Sequence, residues 1–261
     1  MIDFSIIVTI KNRKEHFLKT FSSLVTQQQP WSYEVNFIDY GSQDGFGESL
    51  KKETIRYTDL FSDSLKAINR IFIEDDLKFN SGKAKNIGSY FSSGNFVSFS
   101  DVDVFLGMDY HRHWLQLLMY NDKHFFSSRV QETTERCSRR LTSKTNYGNM
   151  IVAKSSFNVV GGFDENNPTW GGDDDDIVHR LKLYGLREIN PHDVYESHHT
   201  SIIHDDELRT KFLESSEKDS IISKQKLIAI YNNTSFINPN FLFFYNDIKS
   251  LVKVEKIYER T

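Results

Sequence analysis

A short, nearly continuous apolar run, Phe4-Ser5-Ile6-Ile7-Val8-Thr9-Ile10, constrains the fold of this 261-residue chain more than any other feature. A strand with one wet face alternates apolar and polar residues, whereas a β-branched run of this kind asks for cover on both faces, as at the centre of a parallel sheet. Residues 16–27 then carry apolar side chains at helical spacing (Phe17, Phe21, Leu24, Val25), and Tyr33–Asp39 repeats the strand signal before the turn cluster Gly41-Ser42-Gln43-Asp44-Gly45. Further strands are expected at 71–74, 96–100 and Asn149–Ala153, with a helix over 83–91 and another starting near Tyr110. Strand and helix in alternation predict an α/β fold with a mostly parallel sheet flanked by helices, whose ligands gather at the carboxyl ends of the strands. Asp39, Asp101 and Asp103 all fall at such ends.

Composition removes several function classes. The 32 basic and 36 acidic residues are well mixed and leave a net charge of −4, so no basic field exists for nucleic acid. One cysteine, Cys137, rules out an internal disulfide framework and a cysteine-built zinc site, and it suits a reducing cytosol. The N-terminal apolar run passes at once into Lys11-Asn12-Arg13-Lys14-Glu15, which fits neither a signal peptide nor a membrane span of roughly 20 apolar residues. The expected location is cytoplasmic, with peripheral association at the inner face of the membrane left open.

Two acidic motifs point to chemistry. In Asp101-Val102-Asp103, continuing the strand 96–100, positions i and i+2 share a side, so both carboxylates are expected to address one hard cation while Val102 faces the core. A magnesium or manganese ion on a diphosphate is the natural guest. The second motif is Trp170-Gly171-Gly172-Asp173-Asp174-Asp175-Asp176, followed by the helical pattern Ile177-Val178-His179-Arg180-Leu181. Carboxylates offset the positive end of a helix dipole, and a cap accounts for one or two of them, Asp176 included, but not for four after Trp-Gly-Gly.

Taken in order, Ile6 to Arg13, Ile38-Asp39-Tyr40-Gly41-Ser42-Gln43-Asp44-Gly45, Phe79-Asn80-Ser81-Gly82-Lys83-Ala84-Lys85-Asn86, Ser100 to Val104, Gly161-Gly162-Phe163-Asp164 and Trp170 to Ile177 resemble the nucleotide-sugar glycosyltransferases of the GT-A fold. The later segments look like those shared by β-1,4-galactosyltransferases and family 2 capsule and chondroitin polymerase domains. By that resemblance, Thr9 and Arg13 cup the nucleotide, Asp39 accepts a hydrogen bond from uracil, Lys83 and Lys85 reach the diphosphate, and Asn86 is a substrate-binding residue. Asp101 holds ribose or metal and Asp103 binds the metal. Asp174 is the general base, Asp173 binds acceptor hydroxyls beside Gly172, and Trp170 forms a wall against a sugar face. A third metal ligand is expected in Val194-Tyr195-Glu196-Ser197-His198-His199, as His198 or His199. Tyr40 stands where many family 2 members carry a second aspartate, and Asp173 where the galactosyltransferases have glutamate.

The resemblance covers roughly residues 4 to 200. It implies a GT-A domain over 1–204 with a helical C-terminal extension over 205–261, where Phe241-Leu242-Phe243-Phe244-Tyr245 is suited to packing on the domain or to docking a membrane-associated acceptor or another subunit. The implied activity is a Mn2+- or Mg2+-dependent, inverting transfer from a UDP-sugar to a carbohydrate or glycolipid hydroxyl, in bacterial surface polysaccharide or glycolipid synthesis. Two alternatives remain: a non-catalytic nucleotide-sugar-binding subunit, and a metal-dependent nucleotidyltransferase, against which the Trp170 to Asp176 segment speaks.

Overall fold

The computed structural model describes residues 1–74, 79–121, 123–128, 149–165, 172–189, 197–199 (backbone), 229–230, 232–238 and 251–260. In chain order these form β1 (Phe4–Ile10), α1 (Lys14–Val25), β2 (Tyr33–Asp39), α2 (Phe46–Tyr57), a 3-10 turn (Thr58–Leu60), β3 (Leu65–Ile73), α3 (Ser81–Phe91), β4 (Phe96–Asp101), β5 (Val104–Leu106) and α4 (Tyr110–Tyr120). They continue as β6 (His124–Ser128), β7 (Asn149–Ala153), α5 (Lys154–Val159), α6 (Asp173–Leu183), β8 (Arg187–Ile189), β9 (Ser197–His199) and β10 (Val252–Glu259). Eight strands make one mixed sheet in the order β10-β3-β2-β1-β4-β7-β6-β8, and β5 pairs with β9 separately. The centre β3-β2-β1-β4 is parallel, while β7 runs antiparallel to β4 and to β6.

The apolar run of β1 is doubly covered, as its sequence requires. Phe4, Ile6, Val8 and Ile10 enter one core with Phe17 and Phe21 of α1, Phe46 and Leu50 of α2 and Trp114 and Leu115 of α4. Ile7 points the other way, into a second core with Ala84 and Ile87 of α3, Phe157 of α5 and Ile177 and Leu181 of α6. Residues on opposite sides of the pleat thus divide between two helical layers. A Cβ on Gly88 would lie 2.5 Å from Ile7 Cγ2, so only glycine lets α3 settle this close to the sheet.

The C-terminal residues correct one expectation. Rather than being helical, 252–259 is a strand that extends the sheet antiparallel to β3, opposite residues 67–73. Val252 and Val254, two residues apart with charged residues between and after them, begin it with strand character, and Tyr258 packs edge-on against Phe61 at 4.9 Å. The aromatic run at 241–245 lies outside the described residues.

Fully buried His111 on α4 ties that helix to the sheet, with Nε2 2.9 Å from Ser98 Oγ and Nδ1 2.8 Å from Gln27 Oε1. Burial pushes its pKa from 6.5 down to about 3. The unfolded chain therefore binds the extra proton first, and stability is lost progressively as pH falls from about 6.5 toward 3. Between pH 7 and pH 5 this one group is expected to remove about 2 kcal/mol. Urea unfolding of His111→Gln should show a shallower loss over that interval than the wild type; an equal slope would contradict the assignment.

Candidate active site

Parallel register gathers the carboxyl ends of three strands. Thr9 lies opposite Asp101 on one side and Ile38 on the other, and Ile10 lies opposite Asp39. Asp101 shares the α3-facing side of β4 with Val97 and Phe99, which pack in the second core. Thr9 shares a side with Ile7, so it faces the same layer. Arg13 stands at the start of α1, in the loop after β1.

β4 ends at Asp101, and 102–103 form a turn before β5, so Asp101 and Asp103 flank a turn instead of occupying successive same-side strand positions. Val102 does face the core, as its apolar character dictates, and its carbonyl accepts a 2.8 Å hydrogen bond from Thr20 Oγ1 of α1. Asp103 is buried at 7 % exposure. Immediately after it, β5 pairs with β9, with Val104 opposite His199 and Phe105 opposite His198. The ladder brings the backbone of the histidine doublet alongside the strand that leaves Asp103. Hard carboxylate oxygens on either side of this turn suit Mn2+ or Mg2+. Among the described residues no group of three or more His, Cys, Asp or Glu forms a metal-holding set.

Helices α3 and α6 bring the charges together. Asn80 caps α3 by accepting from Lys83 N–H at 2.8 Å, and its amide donates to Glu165 O at 2.7 Å. Gly172, at φ +83°, turns the chain in the left-handed region that glycine tolerates and starts α6 with Asp173, Asp174, Asp175 and Asp176. Lys85 Nζ then lies 3.3 Å from Asp174 Oδ1. Burial works against the charge on Lys85, but the carboxylates of Asp174, Asp101 and Asp173 together outweigh it and raise the ammonium above its ordinary range. For Asp174, burial is the largest influence and lifts the carboxyl to about 7; Lys85 pulls it down, while Asp173 and Asp101 push it up. A carboxyl raised toward neutrality is suited to accept a proton at physiological pH.

The acidic run divides by role. Asp176 Oδ2 receives Arg180 Nε at 3.0 Å, and fully buried Arg180 donates onward to Val160 O at 2.6 Å and Gly162 O at 2.7 Å. This pair fixes α6 to the Gly161-Gly162-Phe163 loop. Asp174 is left facing Lys85.

Asn86, expected to bind substrate, is enclosed at 1 % exposure. Its Nδ2 donates to Phe163 O at 2.9 Å and to Glu165 Oε1 at 2.8 Å, and its Oδ1 accepts from Phe163 N at 2.8 Å. The amide is used up holding the 161–165 loop over α3. Asn86→Ala is expected to destabilise the fold by about 1–3 kcal/mol, because it strands buried polar groups of that loop. Urea unfolding checks this, and an unchanged midpoint would contradict the role.

Asp39 is fully buried at the end of β2, with both carboxylate oxygens engaged. Oδ1 accepts from Ser42 N at 2.8 Å, and Oδ2 accepts from Arg70 Nε at 2.9 Å and Nη2 at 2.6 Å. Sequence reasoning missed Arg70, which sits in mid-strand on β3 without a motif around it. Lys83 lies half-buried in the first turn of α3. Trp170 and Gly171 lie outside the described residues, as do the side chains of His198 and His199.

Residues 129–205, which include the Trp170 to Asp176 segment and the histidine doublet, match the family model described as the N-terminal domain of galactosyltransferase. The chain is 33 % identical over 113 residues to Glycosyltransferase AglE of Haloferax volcanii, across 43 % of this chain and 33 % of that protein. S. aureus TarS 1–349 in complex with UDP shares the fold at a TM-score of 0.58 and 18 % identity, covering 76 % of this chain and 60 % of that one. Mannosyltransferase PcManGT from Pyrobaculum calidifontis, in complex with GDP-Man and Mn2+, does so at 0.60 and 17 %, covering 87 % and 68 %. The chain thus spans one third of the curated relative and three fifths of TarS 1–349 in these matches.

Proposed function

We propose that this chain, whose fold is that of the GT-A glycosyltransferases, is a metal-dependent, inverting glycosyltransferase that moves a sugar from UDP to a carbohydrate hydroxyl. The observation that carries the reading is the pairing of Lys85 with Asp174 on the face of the sheet that Thr9 and Asp101 share at their strand ends. That arrangement sets one raised carboxyl beside a buried cation, which fits a base for the acceptor and a counter-charge for a diphosphate. In the transfer, the acceptor hydroxyl loses its proton to Asp174 and its oxygen forms a bond to the anomeric carbon. The bond from that carbon to the diphosphate oxygen breaks, and UDP leaves with the electron pair. Lys85, with Lys83 in the preceding turn, offsets charge growing on the leaving group. A divalent ion held by Asp103, with Asp101 and a β9 histidine, would supply Lewis-acid neutralisation of the same oxygens. Asp173 binds acceptor hydroxyls, and Trp170 offers an apolar wall to a sugar ring.

UDP as carrier rests on the resemblance of the Asp39 segment and on a fold shared with a UDP-bound protein. Asp39 is enclosed, so the more exposed Arg70, at 20 % against 0 %, presents this pair to a base. Synthesis of a bacterial surface polysaccharide or glycolipid is the process that fits an acceptor of this class. No helix among the described residues is long and apolar enough to cross a membrane.

A panel of UDP- and GDP-sugars, assayed for nucleotide release with and without Mn2+, Mg2+ and a chelator, tests the proposal. Cation-dependent release from a UDP-sugar is the expected result. Donor binding with no release under any condition would contradict transfer and favour a nucleotide-sugar-binding subunit.

A further inference from the structure

Glu255, on the C-terminal strand, is tied to the nucleotide end of the site through a line of charges. In the antiparallel register of β10 on β3 it lies directly opposite Arg70, and residues paired this way project to the same face. Its Oε2 is 3.6 Å from Arg70 Nη1, and its Oε1 is 2.7 Å from Lys51 Nζ of α2. Lys51 donates the strongest of the contacts that hold the Glu255 carboxyl below its ordinary range; burial opposes them and Arg70 adds to them. Arg70 is confined on its other sides as well. Its guanidinium lies 4.8 Å from the Phe72 ring centre, and a Cβ on Gly47 would meet it at 2.7 Å. Asp39 takes its Nε and Nη2, and Asp39 in turn holds the turn after β2 through Ser42 N–H.

We propose that Glu255 is a positioning residue for nucleotide binding: it steers Arg70, and through Arg70 the Asp39 carboxylate and the 41–45 turn, into the arrangement that receives the base. The inference rests on the nucleotide-sugar reading of the site. It makes the C-terminal strand a part of the donor pocket, although some 180 residues separate it from β3 in sequence. Glu255 acts on binding and not on chemistry, because Asp174 and Lys85 belong to α6 and α3 on the opposite side of the sheet.

Calorimetric titration of UDP and of GDP into wild type, Glu255→Gln, Glu255→Asp and Lys253→Ala tests this. Lys253 occupies the same strand in an exposed pair with Glu74 at 2.7 Å, so its variant controls for loss of strand charge alone. Glu255→Gln is expected to weaken the bound nucleotide about 2- to 5-fold, the scale of a partly exposed ion pair. The same variant should raise KM for the donor with kcat near wild type, Glu255→Asp should recover part of the loss, and Lys253→Ala should bind as the wild type does. Equal affinity of Glu255→Gln and wild type overturns the inference and leaves the function intact. Equal weakening in Lys253→Ala overturns it too, since the effect then belongs to the strand. A wild type that binds neither nucleotide rejects the underlying function, and the inference with it.

Discussion

Replacing Asp174 with Asn should slow sugar transfer by about 100-fold or more while leaving the fold and UDP affinity in place, the usual scale for loss of a general base. The amide keeps the shape of the carboxylate but cannot take the acceptor proton. Its pH signature follows from the environment already described. Burial raises Asp174 to about 7 against the pull of Lys85, so the wild-type rate should climb with pH through an inflection near neutrality as the carboxyl ionises. Removing the ammonium with Lys85→Met takes away a neighbouring charge that favours the ionised form, and the inflection should move to higher pH. A wild-type rate in Asp174→Asn, or an inflection that moves down in Lys85→Met, would return the acidic run to the status of a charged helix start.

Loss of Asp103 should be the most damaging single change. A cation on the leaving diphosphate contributes several kcal/mol, so Asp103→Asn should cost about 1000-fold or more in turnover and also weaken UDP binding measured with Mn2+ or Mg2+. Nearly full burial of Asp103 beside the β5–β9 ladder supports its assignment as a ligand over that of a solvated carboxylate. A chelator should reproduce the defect in the wild type, and added Mn2+ or Mg2+ should reverse it. Full activity in a strong chelator would rule the ion out of the reaction.

The central strands were legible because their burial is written into local composition. Phe4–Ile10, Tyr33–Asp39 and Asn149–Ala153 have the predicted bounds, since each is a short segment of strand-forming residues buried nearly throughout. β3 was recognised only near its end: in Leu65–Ile73, Lys66, Asn69 and Arg70 interrupt the apolar pattern, and Arg70 is there to meet Asp39. β10 was read as part of a helical extension because the resemblance fades beyond residue 205 and the charged stretch 206–231 is helix-prone, whereas its own mix of apolar and charged residues suits a half-exposed edge strand. The charged motifs announced a site but not how its members divide. Asn86 and Asp176 belong to the same sequence motifs as Lys85 and Asp174, yet both are consumed in holding the 161–165 loop, a partition set by contacts some 20 to 80 residues away in sequence.

As the proposed base, Asp174 takes the acceptor proton on the face opposite the leaving diphosphate, and that geometry fixes stereochemistry. Proton NMR of the anomeric coupling in the product formed from an α-linked UDP-sugar is the direct measurement. A β-linked product is the predicted result; an α-linked product would contradict single-step transfer with Asp174 as its base.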